Sequence, residues 1–142
     1  MTKHDELISS IEFPVRFSEV DLMQIVWHGN YIKYMEEGRE DFGRKYGISY
    51  MQIREQGYMA PLVNISCEFR KIVEYGDNVI VETRFVNHAA AKITYAFRIF
   101  RASDRELVAT GESTQVFLDM NKELVLTNPP FFEAWKKKWG FR

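Results

Sequence analysis

A chain of 142 residues with 46% hydrophobic and 27% charged residues has the size and balance of one folded domain, which excludes a disordered chain. Its formal net charge of −1 leaves no surplus of Lys and Arg to attract nucleic acid, and the one cysteine, Cys67, permits no internal disulfide and fits a reducing compartment. The polar start MTKHDELISSIEF lacks the apolar core of a signal peptide, and no run approaches the ~20 apolar residues of a membrane span, so a cytoplasmic protein with a single domain over 1–142 is expected.

In chain order, residues 11–18 (IEFPVRFS) read as a strand, and Pro14 within it implies an edge position or a bulge. From Asn30 the period changes. Tyr31, Tyr34, Met35, Gly38 and Phe42 share one helix face, while Lys33, Glu36, Glu37 and Glu40 fall mostly opposite. Asn30 is the expected N-cap, and Gly47 ends the helix. Gly38 on the apolar face costs about 1 kcal/mol relative to Ala, which a close approach to another backbone would explain.

A short helical patch at Tyr50 to Glu55 precedes a change to period two. Val63, Ile65, Cys67 and Phe69 alternate with polar residues and are expected to share a buried face, with Cys67 an inert core thiol. The turn signal EYGDN at 74–78 leads to a strand with Val79, Val81 and Phe85 on one face. Ile93, Tyr95, Phe97 and Ile99 mark the next strand, and Leu107 to Leu118 the last, where Gly111 suggests a bulge. Pro129-Pro130 starts a short C-terminal helix whose aromatics pack onto the domain and whose Lys136-Lys137-Lys138 run reads as a solvated face, or else as a contact for a phosphate. One strand, a long helix and four consecutive strands predict an α+β fold, with the helix wrapped by a five-stranded antiparallel sheet.

Chemistry concentrates in EVDLMQIVWHGNY, residues 19–31. Unpaired N–H groups at a helix start polarise a carbonyl and stabilise its oxyanion, and a carboxylate such as Asp21 across the same pocket attacks that carbonyl or activates water. Spacing alone favours a loop or capping role for Asp21, and leaves His28 as either a site residue or a polar residue before the helix. His4 and His88 read as surface residues, no histidine–cysteine spacing fits zinc, and there is no phosphate loop or dinucleotide fingerprint.

The stretch FSEVDLMQIVWHGNYIKYMEEGR, residues 17–39, resembles the signature of hot-dog acyl-CoA thioesterases related to 4-hydroxybenzoyl-coenzyme A thioesterase. APLVNISCEFRKIVEYGDNVIVETRF and ATGESTQVFLD are similar to that family's later strands, in the same order. The resemblance implies a hot-dog fold and hydrolysis of an acyl-CoA or acyl-carrier-protein thioester without a cofactor or metal. It makes Asp21 the nucleophile or general base, and makes His28 the residue whose backbone N–H polarises the carbonyl. Asn30 and Tyr31 would shape the pocket, and Arg70 or Lys71 would contact the coenzyme's phosphates. It further implies a homodimer or homotetramer with the acyl groove between subunits. Gln24 stands where the family usually has Gly, Glu19 where it has Asp, and Gly38 where it has Ala; Gln resists loop conformations that Gly permits. Two other readings are a hot-dog dehydratase, whose His-Phe-Pro motif is absent, and a non-catalytic acyl-binding protein.

Overall fold

The computed structural model describes residues 7–141, so the expectation for His4 lies outside the described residues. The first strand, β1, spans Ile8–Pro14 rather than 11–18. It stops at Pro14 because the chain then turns at Phe17–Glu19, a single 3-10 turn closed when the Arg16 N–H donates to Glu19 Oε1 at 2.8 Å. Among the described residues β1 pairs with one strand alone, so Pro14 sits on an edge, where its missing N–H costs no ladder bond.

Helix α1 runs Asn30–Tyr46 and buries Tyr31, Tyr34, Met35, Gly38 and Phe42, the face that the spacing predicts. Gly47 ends it in the left-handed conformation at φ 85°, and its N–H donates to Gly43 O. A capping box between Ser49 and Gln52 then starts α2, Tyr50–Glu55. The remaining elements are β2 (Tyr58–Met59), β3 (Leu62–Phe69), β4 (Asn78–Val86), β5 (Lys92–Arg101), β6 (Leu107–Asp119), β7 (Leu124–Val125) and α3 (Pro130–Lys138). The five long strands join as β1-β4-β5-β6-β3, every pairing antiparallel. The two-residue strands β2 and β7, which no periodicity announces, extend the far end of β6.

Helix α1 lies against β1, β4, β5 and β3, and the core fills the space between helix and sheet. Phe42 anchors it with no exposed surface, its ring close to those of Tyr46, Tyr95 and Trp135. Gly38 is a point of close approach, though to side chains rather than backbone. A Cβ there would sit 2.6 Å from both Thr83 Oγ1 and Val81 Cγ1 of β4. Gly111 does not mark a bulge: it pairs in register with Cys67 and Phe97, and a Cβ there would meet Met35 Sδ of α1 and Ser66 O.

The bulges fall elsewhere, between Leu62 and Asn64 and between Ile99 and Phe100. The first of these revises the expected face of β3. The irregularity leaves Val63 exposed, Ile65 and Cys67 are only half-buried, and Phe69 at the strand end is 53% exposed. Burial pushes the Cys67 thiol above its ordinary range, with the Glu68 carboxylate adding to the effect.

Helix α3 docks as expected, with Phe132 and Trp135 buried and Trp135 Nε1 donating to Tyr46 O at 2.7 Å. Its lysine run is not wholly solvated. Lys136 is 2% exposed, its Nζ donates to His88 O at 2.7 Å and lies over the Phe132 ring, and His88 is half-buried. An aromatic platform and one well-placed carbonyl hold the stem and ammonium inside.

Candidate active site

Between β1 and α1 the chain makes a small hairpin. Val20 bridges Val26, Asp21 N donates to Ile25 O, and Gln24 N donates back to Asp21 O at 2.9 Å. Asp21 Oδ1 accepts the Met23 N–H at 2.8 Å, the side-chain turn common for Asp, and Oδ2 has no hydrogen-bond partner among the described residues. The turn closes because Gln24 adopts φ 68°, so this residue takes the left-handed conformation for which Gly is the easier choice. Further bonds attach the hairpin to the β3–β4 connection: Val26 N to Val73 O at 2.8 Å and Tyr75 N to Gln24 O at 3.2 Å.

Glu19 organises the base of this loop, a role that its position in the motif did not disclose. It is 8% exposed, and its carboxylate accepts from Arg16 N, from Arg16 Nη1 at 3.2 Å and from the Tyr34 hydroxyl at 2.9 Å. Its backbone oxygen accepts from Trp27 N at 2.9 Å and from Asn30 Nδ2 at 2.8 Å. One acidic residue thus binds the turn, the return arm of the hairpin and the first two turns of α1. The Arg16-x-x-Glu19 spacing was the available signal, since it places a carboxylate within reach of the N–H at the start of its own turn. Burial, followed by the hydrogen bond to Glu19, raises the Tyr34 phenol well above its ordinary range.

This arrangement corrects the assignment of Asn30. The N-cap is Gly29, and Asn30 is the first helical residue, 6% exposed, with its amide committed to Glu19 O. A Cβ at Gly29 would run into the Trp27 ring where it now lies, so a larger residue there would displace that ring. Among the described residues neither the His28 nor the Gly29 N–H has a backbone acceptor, as expected for the open start of a helix.

His28 is exposed, its ring 4.9 Å from that of Trp27 and edge-on to Phe69 at 6.3 Å. Tyr31 is buried behind it, 5.1 Å from the Phe69 ring, and burial pushes its phenol up to about 12, with Cys67 adding to the shift and Arg101 opposing it. Phe69 therefore joins His28 to Tyr31 across two elements, a contact hidden in the sequence because Phe69 was assigned to the core. Arg70 and Lys71 follow directly, and both of their N–H groups share Val108 O. Their side chains are exposed and held loosely, Arg70 3.7 Å from Glu68 and Lys71 3.8 Å from Glu106. No hydrogen bond joins Asp21 to His28 among the described residues, and no group of three His, Cys, Asp or Glu side chains there could hold a metal ion. No described helix is long and apolar enough to cross a membrane.

The profile of the Thioesterase-like superfamily matches residues 15–136. YneP of Bacillus subtilis, provisionally named an acyl-CoA thioesterase, is 30% identical over 79% of this chain and 80% of its own length. A 1,4-dihydroxy-2-naphthoyl-CoA hydrolase of Prochlorococcus marinus is 27% identical over 95% of this chain and 91% of its own. The solved DHNA-CoA thioesterase of Staphylococcus aureus superposes with a TM-score of 0.79 at 27% identity, covering 94% of this chain and 90% of that one. With its α1 wrapped by an antiparallel sheet in the hot-dog arrangement, the chain belongs to the thioesterase-like superfamily of thioester hydrolases.

Proposed function

We propose that this protein hydrolyses an acyl-CoA thioester to the free acid and CoA, with Asp21 as its catalytic carboxylate. The supporting observation is the hairpin itself. It fixes the Asp21 backbone through Ile25 O and Gln24 N in the segment that leads into α1, and among the described residues it leaves Oδ2 without a hydrogen-bond partner and the His28 and Gly29 N–H groups without backbone acceptors. Those donors suit the thioester oxygen, whose negative charge grows as the carbonyl carbon becomes tetrahedral. Asp21 then either bonds to that carbon, expelling the CoA thiolate and leaving an anhydride for water to cleave, or takes a proton from the attacking water. Asn30 and Tyr31 fix the floor of the site through Glu19 and Phe69. Arg70 and Lys71 offer exposed cations to the coenzyme's phosphates.

The protein acts as a cytoplasmic homodimer or homotetramer, each chain one domain over 1–142. Leu22, Met23, Trp27, Phe69 and Ile72 are all more than half exposed around the site, an apolar surface that a second copy would cover. The substrate panel that tests the reading contains short, long and aromatic acyl-CoA thioesters, 1,4-dihydroxy-2-naphthoyl-CoA among them, with acyl-carrier-protein thioesters as a second arm. A thiol reagent reports released CoA. Turnover of at least one thioester is expected, whereas binding without thiol release across the panel would favour a non-catalytic acyl-binding protein.

A further inference from the structure

Residues 70–77 join β3 to β4 and support the hairpin from outside, yet Val73 is the one buried residue between Arg70 and Gly76. Ile72 and Tyr75 are each more than half exposed, so apolar burial fixes this connection at a single point. Its backbone nevertheless carries the hairpin. Val73 O accepts the Val26 N–H at 2.8 Å, Glu74 bridges Ile25, and Tyr75 N donates to Gln24 O at 3.2 Å.

Arg101, the last residue of β5, holds the connection from the other side. Its Nη1 donates to Ile72 O at 2.6 Å. The remaining guanidinium nitrogens close on one carboxylate: Nε lies 3.1 Å from each Asp104 oxygen, and Nη2 lies 2.8 Å from Oδ2. Asp104 is fixed in turn, since its Oδ1 accepts the Glu106 N–H at 3.1 Å. The Arg101 backbone is tied into the same turn, its N–H donating to Glu106 O and its carbonyl accepting from Arg105 N. Because the guanidinium is planar and its fork is docked on Asp104, the direction of Nη1 is set before it meets Ile72 O. The same charge reaches α1: burial raises the Tyr31 phenol, Cys67 adds to the rise and Arg101 opposes it.

We infer that Arg101 is a positioning residue for hydrolysis, fixing through the Ile72–Val73 backbone the hairpin that carries Asp21. This role rests on Asp21 being the catalytic carboxylate proposed above. The path is short. Arg101 fixes Ile72 O, the next carbonyl along the chain, Val73 O, holds Val26 N, and the neighbouring Ile25 O holds Asp21 N. A charged donor makes a stronger bond to a carbonyl than a neutral one, so its loss frees the least buried support of the hairpin. A carboxylate shifted by a fraction of an ångström loses its line of attack while the substrate still binds.

Arg101→Met keeps an unbranched stem without the fork, and Arg101→Lys keeps the charge without it. Asp104 is about half exposed, so Asp104→Asn weakens the fork with little risk to folding and carries the test should Arg101→Met not fold. Melting temperatures verify folding, amide hydrogen exchange reads the hairpin, and thiol release from the best acyl-CoA substrate reads turnover. In Arg101→Met the Val26 N–H is expected to exchange about tenfold faster while amides in the middle of β5 keep their rates, and kcat to fall about tenfold with KM within about twofold. Arg101→Lys should lose nearly as much, and Asp104→Asn should move both readouts in the same direction. Unchanged Val26 exchange overturns the inference, as does faster exchange with an unchanged kcat. Full activity in Arg101→Lys, or an effect confined to KM, also overturns it by assigning Arg101 a direct role through its charge. Wild-type turnover in Asp21→Asn would instead defeat the reading of Asp21, and the exchange arm, which needs no turnover, would still decide whether Arg101 fixes the hairpin.

Discussion

At the scale of the residue, the hairpin holds a side-chain-bearing residue in a conformation for which Gly is the easier choice. Gln24 holds φ 68°, which costs a side-chain-bearing residue about 1–2 kcal/mol relative to its usual backbone regions. The cost is offset by the bonds that the turn permits, from Gln24 N to Asp21 O and from Tyr75 N to Gln24 O. Gln24→Gly is expected to stabilise the protein by up to about 1 kcal/mol, once the greater freedom of Gly in the unfolded chain is subtracted. Urea denaturation measures this, and a fall in stability would show that the Gln side chain contributes contacts of its own. Asp21, Arg70 and Lys71 were legible as candidates because the motif and strand spacing display them directly. Glu19 and Phe69 were not, since their importance lies in partners up to 15 residues away in the first case and on another element in the second.

At the scale of the element, α1 illustrates a conflict between local propensity and packing. Ala at position 38 would favour the isolated helix by about 1 kcal/mol. In the folded chain the added methyl would press on Val81 and Thr83 of β4, and overpacking costs about 1–3 kcal/mol. Gly38→Ala is therefore expected to lower stability by about 1 kcal/mol in the same denaturation assay; a gain would mean that β4 yields without cost. The helix face, the four later strands and the docking of α3 were readable from periodicity, because a 3.6 or a 2.0 repeat records which side meets the core. The parity of β3 was not. A bulge at its start shifts the faces, and alternation read across a bulge assigns Val63 to the wrong one. The N-cap was missed for a related reason: Asn30 has a capping side chain, but Glu19 O competes for its amide.

At the scale of the whole molecule, the core is rich in aromatic rings, and three of the chain's seven tyrosines, Tyr31, Tyr34 and Tyr95, have raised phenol pKa values, burial being the first cause in each. A phenol raised in the folded state stays protonated while its unfolded counterpart ionises near 10, so the folded chain binds more protons in that interval. Its contribution to stability is complete below pH 10 and declines as pH rises, for Tyr31 through about 12. Stability should accordingly fall above pH 10, with phenolate absorbance from these three rings appearing together with unfolding. Phenolate from all seven tyrosines near pH 10 in a still-folded protein would contradict their burial.

The hairpin that carries Asp21 leads into α1, and the Asp21→Asn variant shows whether its carboxylate drives hydrolysis. Asn keeps an oxygen to accept the Met23 N–H, so the hairpin and the melting temperature are expected to persist while the carboxylate is lost. Thiol release from the best acyl-CoA substrate should then fall by a factor of about 100 or more, with KM little changed, as removal of a general base or nucleophile requires. A variant that folds normally and releases CoA at the wild-type rate would contradict the account.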